Sequence, residues 1–97
     1  MFNTPGSAEF DNQALAKYTM SVTVNLTGVP AYRIRRFEAF GLCTPARTES
    51  KQRLFSDCDI MRIQEISLLE RDGINLAGIK TILSLKNNLN VQAHLQK

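Results

Sequence analysis

The chain has little with which to build a covalent or metal-held scaffold. It contains two cysteines, Cys43 and Cys58, no Cys-x-x-Cys pair, and one histidine, His94. Two cysteines do not make a disulfide framework, and so few ligands leave a closed zinc site unexpected. A reducing, cytoplasmic setting is expected. No apolar run approaches the roughly 18 residues that a membrane helix needs, so no membrane partner is expected. The start, Met1-Phe2-Asn3-Thr4-Pro5-Gly6, lacks a basic opening and an apolar stretch and does not read as a signal peptide. No nucleophile–base pair and no phosphate-cradling glycine loop is visible. Glu65, Glu70 and Asp72 read as ordinary charges on a helix face or its end. Neither enzymatic catalysis nor a cofactor is expected. There are no internal repeats.

What is present is unevenly distributed. The 97 residues carry 12 Lys and Arg against 9 Asp and Glu, a net charge of +3. Hydrophobic residues make up 43%, as in a soluble globular chain. A chain of this length fits one small domain with a thin core, which a partner subunit would help to stabilise. Between positions 33 and 53 stand Arg33, Arg35, Arg36, Arg47, Lys51 and Arg53, opposed only by Glu38 and Glu49. Half of the basic residues therefore occupy about a fifth of the chain. Such a cluster is either a solvated face or the footprint of an acidic partner.

Periodicity places this cluster on specific elements. Residues 1–6 read as disordered. Ser7 can cap a short helix over 8–17, with Phe10, Ala14 and Tyr18 on one stripe. From position 19 the reading is open. Val22, Thr23 and Val24 favour a strand, whereas Met20, Val24 and Leu26 fit a short helix ended by Gly28. Pro30 suits the first turn of a helix running to Phe40. There Ala31, Ile34 and Phe37 form an apolar base, Tyr32, Arg35, Arg36 and Ala39 point away, and Arg33 sits at the edge. Gly41 ends this helix. Two extended pieces, 44–48 and 53–55, with a polar turn over 49–52, make a basic β-hairpin. Ser56 with Asp59 approximates a capping box for a helix carrying Ile60, Ile63, Ile66 and Leu69. Asp72-Gly73 stops it. Asn75 caps a last helix bearing Leu76, Ile79, Ile82 and Leu83. Asn87-Asn88 weakens that helix, and a short polar tail follows. The expected core is Ile34, Phe37, Phe40, Leu42, Leu54, Ile60, Ile63, Leu76, Ile79 and Leu83, with Phe55 partly buried under the hairpin. Arg62, Arg71, Lys80 and His94 read as solvated. The fold class is mainly α: a winged helix-turn-helix with a small β-hairpin wing and helices around one small core. The expected organisation is an N-terminal tail over 1–17, a domain over 18–86 and a C-terminal tail over 87–97.

Where the segment from position 19 is read as helix, a short helix, a glycine turn and a basic second helix resemble a helix-turn-helix, a motif whose second helix enters the major groove of duplex DNA. The order and spacing of several segments then resemble the N-terminal domain of MerR-superfamily regulators. These are Tyr18-Thr19-Met20-Ser21-Val22, Leu26-Thr27-Gly28-Val29, Arg35-Arg36-Phe37-Glu38, Gly41-Leu42, Pro45-Ala46-Arg47, Arg53-Leu54-Phe55-Ser56 and Asp72-Gly73-Ile74-Asn75-Leu76-Ala77-Gly78-Ile79-Lys80. The resemblance spans about residues 18–86. Asn75-Leu76-Ala77-Gly78-Ile79-Lys80 is similar to short members of the heat-shock-repressor (HspR) and glutamine-synthetase-repressor (GlnR) kinds.

The resemblance implies a homodimeric repressor on an inverted-repeat operator, controlling chaperone or nitrogen-metabolism genes. A chaperone or a metabolic enzyme would be its corepressor. It assigns DNA-facing positions to Arg33 and Arg35, the opening of the wing to Arg47 and its close to Arg53. Tyr32, Arg36, Lys51 and Gln52 complete the expected DNA-binding set. The chain departs from the family where Arg36 and Phe37 replace tyrosines, where Tyr32 replaces an arginine, and where the wing tip Ser50-Lys51-Gln52 lacks glycine. Eleven residues follow Lys86, too few for the long dimerising coil found elsewhere in the superfamily. Two other readings stay open. One is a protein-interaction adaptor that kept the fold but lost operator reading. The other is a redox or metal switch built on Cys43 or Cys58.

Overall fold

A computed structural model describes residues 13–95, and the side chains of residues 13–86. Among the described residues the elements from Met20 onward are, in order, α1 (Met20–Thr27), α2 (Ala31–Ala39), β1 (Ala46–Arg47), β2 (Arg53–Leu54), α3 (Asp57–Arg71) and α4 (Leu76–Leu95). The expected helix-turn-helix with a β-hairpin wing is the observed architecture. Most of the expected helix over 8–17, including Phe10, lies outside the described residues. Of its stripe, Ala14 is exposed and Tyr18 pairs with the hairpin instead.

The open segment after position 19 is helix, against the strand propensity of Val22-Thr23-Val24. Capping decides it. The Thr19 side chain accepts the Val22 N–H at 3.3 Å. Gly28 closes the helix in the left-handed region at φ 74, donating its N–H to the Val24 carbonyl. Pro30 stands one position before α2 as its N-cap, where its missing N–H costs nothing. Ser56 and Asp59 form the full reciprocal capping box of α3. Asn75 Oδ1 accepts the Gly78 N–H at 2.8 Å and starts α4. That helix does not end near Asn87-Asn88 but runs to Leu95.

The core collects one face from each element. Ile34 and Phe37 of α2, Phe55 after β2, Ile63 and Ile66 of α3, and Ile79 of α4 are fully buried. Val29, Leu42, Cys43, Leu76 and Leu83 join them. Each large apolar side chain buried in this way contributes about 1.5–3 kcal/mol. Three expected core residues sit elsewhere. Phe40 is 42% exposed, because the turn at Gly41 hands the next core position to Leu42. Leu54 and Ile60 are only half-buried at the rim. Phe55, expected to be partly buried, is wholly enclosed. Its N–H donates to the Tyr18 carbonyl at 2.7 Å, and its carbonyl accepts the N–H groups of Lys17 and Tyr18. The segment before α1 is thereby stitched to the base of the hairpin by an isolated antiparallel bridge, Tyr18↔Phe55.

The hairpin is shorter than its sequence pattern. Only Ala46↔Leu54 and Arg47↔Arg53 pair. Thr48 closes the turn: its N–H donates to the Gln52 carbonyl and its hydroxyl accepts the Gln52 N–H. Lys51 sits in the left-handed region at φ 71, where a glycine would be at ease.

Candidate nucleic-acid interface

Helical geometry sorts the charged residues of α2 onto an outer face and two flanks. Ile34 and Phe37 define the inner face. Tyr32, Arg35, Arg36 and Ala39 are exposed on the opposite one, as the 100° spacing requires. Tyr32 is 65% exposed, so an aromatic ring stands in solvent on the face that also carries Arg35 and Arg36. The described residues offer Arg35 and Arg36 no carboxylate partner.

The two flanks differ. On one, Arg33 is half-buried, forms an ion pair with Glu70 of α3, and lies 5.6 Å from the centre of the Phe37 ring. On the other, Glu38 holds the wing. Its Oε1 accepts Arg53 Nε at 2.6 Å and its Oε2 accepts Arg47 Nη2 at 3.0 Å. Arg47 also donates from Nη1 to the Lys51 carbonyl at 2.8 Å. Burial alone would raise the Glu38 pKa. The hydrogen bonds and charges of Arg53 and Arg47 outweigh it and hold the carboxyl below its ordinary value, so it is ionised at neutral pH.

Of the eight residues expected to face DNA, seven therefore fall into two adjoining groups. Tyr32, Arg35 and Arg36 form the outer face of α2. Arg47, Lys51, Gln52 and Arg53 form the wing beside the Glu38 flank, three residues from Arg35 along the same side. Arg33 stands apart, turned toward α3. Sequence reasoning missed Glu38 and Glu70, which set these positions. The available signal was a lone carboxylate at position 38 in an otherwise basic helix.

The segment leading into α1, at Lys17 and Tyr18, is anchored by charge. The Tyr18 hydroxyl donates to Asp57 Oδ1 at 2.6 Å and Lys17 Nζ lies 3.2 Å from Asp57 Oδ2. The hydrogen bond from Tyr18, with that from Lys17, lowers the Asp57 pKa, and the shared bond raises that of Tyr18. The thiol Cys43 is buried, which pushes its pKa up to about 11. Cys58 is exposed. Among the described residues, no group of three or more His, Cys, Asp and Glu side chains is placed to hold a metal ion.

Comparison with known proteins matches this geometry. The model of the MerR HTH family of regulatory proteins fits residues 18–86. The chain is 36% identical over 78 residues to the HTH-type transcriptional regulator GlnR of Bacillus anthracis, covering 80% of this chain. It is 38% identical over 73 residues to the heat shock protein HspR of Streptomyces coelicolor, covering 74% of this chain. It spans 60% of the length of that GlnR and 48% of that HspR. Among solved structures, it is similar to HiNmlR, a MerR family regulator lacking the sensor domain, bound to promoter DNA. The TM-score is 0.61 and the identity 26%, over 81% of this chain and 75% of the other. With the family model covering the helix-turn-helix, the wing, α3 and the first half of α4, this chain belongs to the MerR family of HTH regulators.

Proposed function

We propose that the protein is a homodimeric transcription regulator that binds duplex DNA at an inverted repeat and acts as a repressor. Helix α2 enters the major groove, presenting Tyr32, Arg35 and Arg36 to base edges and phosphates. The wing residues Arg47, Lys51, Gln52 and Arg53 lie over flanking phosphates or the minor groove, and Arg33 steadies α2 at its edge. The observation that carries this reading is the pair Arg35 and Arg36. Both are exposed beside Tyr32 on a rigid helix, with the basic wing on their flank. Cations held on a fixed element are what a phosphate backbone and base edges require. The names GlnR and HspR among similar proteins favour nitrogen-metabolism or chaperone genes as targets, with a metabolic enzyme or a chaperone as corepressor.

A protein-interaction adaptor is the second reading. It is favoured by one observation: Arg33, Arg47 and Arg53 are already paired with carboxylates of the same chain. In-vitro selection from a random duplex pool separates the two. Recovery of a two-fold symmetric consensus, bound by a dimer in sedimentation, supports the regulator. Arg35→Ala should then weaken binding by about 1–3 kcal/mol if the contact is bidentate to a base. A pool that yields no consensus, with binding equal on all duplexes, supports the adaptor instead.

A further inference from the structure

Glu38 is a carboxylate on the surface proposed to meet a polyanion, and it grips two of that surface's cations. A negative charge there opposes phosphate binding. Its presence therefore needs a reason beyond affinity. The hydrogen bonds supply one. Arg53 Nε and Arg47 Nη2 converge on the two oxygens of one carboxylate, and Arg47 Nη1 continues to the carbonyl of Lys51 at the wing tip. Helix α2, both wing strands and the tip are thus one connected network. The pairing also has a charge consequence. Two arginines and one glutamate present a net charge of +1 where the arginines alone would present +2.

We infer that Glu38 is a specificity-setting residue: it fixes the wing's position against the recognition helix and holds two guanidinium groups back from indiscriminate phosphate binding. The inference rests on the DNA-binding reading above. On a correct site the wing is delivered in register with α2. On an arbitrary duplex the wing arginines stay partly neutralised. Removing the charge should favour every duplex, and the wrong ones most. One additional phosphate contact steepens the log–log salt slope by about 0.9, which at 0.15 M salt amounts to about a fivefold gain in affinity relative to 1 M.

The test uses the full chain, a duplex recovered by selection with the wild-type protein, and a scrambled duplex of the same length and composition. Affinity for both is measured across a salt series. Glu38→Gln keeps the shape and removes the charge. It is expected to bind the scrambled duplex several-fold tighter, with a salt slope steeper by about one, and to lose part of the selected-to-scrambled ratio. Glu38→Asp keeps the charge and shortens the reach by one methylene. It is expected to hold the wild-type slope yet discriminate less well, and it serves alone if Glu38→Gln does not fold. Unchanged scrambled-duplex affinity and slope in Glu38→Gln overturn the inference. So does a wild-type ratio in Glu38→Asp. In either case wild-type discrimination leaves the DNA-binding reading intact. A wild-type chain that binds neither duplex overturns that reading, and the role of Glu38 falls with it.

Discussion

Arg33 and Glu70 join the helix proposed to read DNA to the helix that supports it. Arg33 leaves the outer face of α2, packs over Phe37 and pairs with the Glu70 carboxylate of α3. Both side chains are largely shielded, at 26% and 19% exposure, so the pair is screened less than a surface one. Arg33→Ala should therefore destabilise the fold by about 1 kcal/mol, and Glu70→Ala by a similar amount. The double variant should cost less than the sum. Urea denaturation of the four proteins measures this coupling. Additive effects would mean that the pair contributes nothing.

Lys51 gives a case where conformation and charge pull apart. Its φ of 71 is strained for an L-residue with a side chain, at about 1 kcal/mol. Lys51→Gly should relieve this and raise stability by about 0.5–1 kcal/mol. It also removes a cation from the wing tip, so duplex affinity should fall and the salt slope become shallower by about 0.9. Thermal unfolding and a salt titration read the two effects from one protein. A variant that is both less stable and equally tight on DNA would contradict both halves.

Much of this architecture was legible because capping and periodicity agree. Ser56, Asp59, Asn75 and the stripe of Ile34 and Phe37 each carry a local signal that the fold keeps. The misses have physical causes. Val22-Thr23-Val24 favours a strand by side-chain shape, but caps at Thr19 and Gly28 and the packing of Thr23 override that weak preference. Phe40 follows the helical stripe by count, yet it is the C-cap of α2 and lies past the last helical residue, and after the turn at Gly41 Leu42 takes the buried place. The basic cluster was visible as composition. Its division into a free face, a wing held by Glu38 and an Arg33 drawn toward α3 was not. That division depends on Glu70, which is 37 residues away in sequence.

Thr23 holds an unmet hydroxyl. The residue is wholly buried on α1, and its Oγ1 has no hydrogen-bond partner among the described residues. A buried polar group left unpaired costs about 1–3 kcal/mol. Valine has nearly the same shape and a similar helix propensity. Thr23→Val should stabilise the protein by about 1 kcal/mol, which for a chain of this size raises the unfolding midpoint by about 4–8 °C. Calorimetry decides the matter. A lower midpoint would mean that the hydroxyl is satisfied after all.

The two cysteines should behave as opposites. Cys58 is exposed near the start of α3, whereas Cys43 is buried and its thiol is held protonated up to about pH 11, chiefly by burial and then by Asp59 and Glu38. The thiolate is the reactive form. At pH 8, iodoacetamide should therefore modify Cys58 in the native protein and reach Cys43 only after unfolding. Stability carries the same signature. The folded pKa of Cys43 lies above its ordinary value of 9.0. Its contribution is therefore complete below about pH 9 and is lost as the pH climbs toward 11, because the unfolded chain releases the proton first. The loss is on the order of 2 kcal/mol. Urea midpoints between pH 8 and pH 11 should fall more steeply for the wild type than for Cys43→Ala, which carries no thiol to ionise. Parallel pH curves for the two proteins, or rapid native labelling at both cysteines, would show that Cys43 is open to solvent and able to act as a sensing thiol.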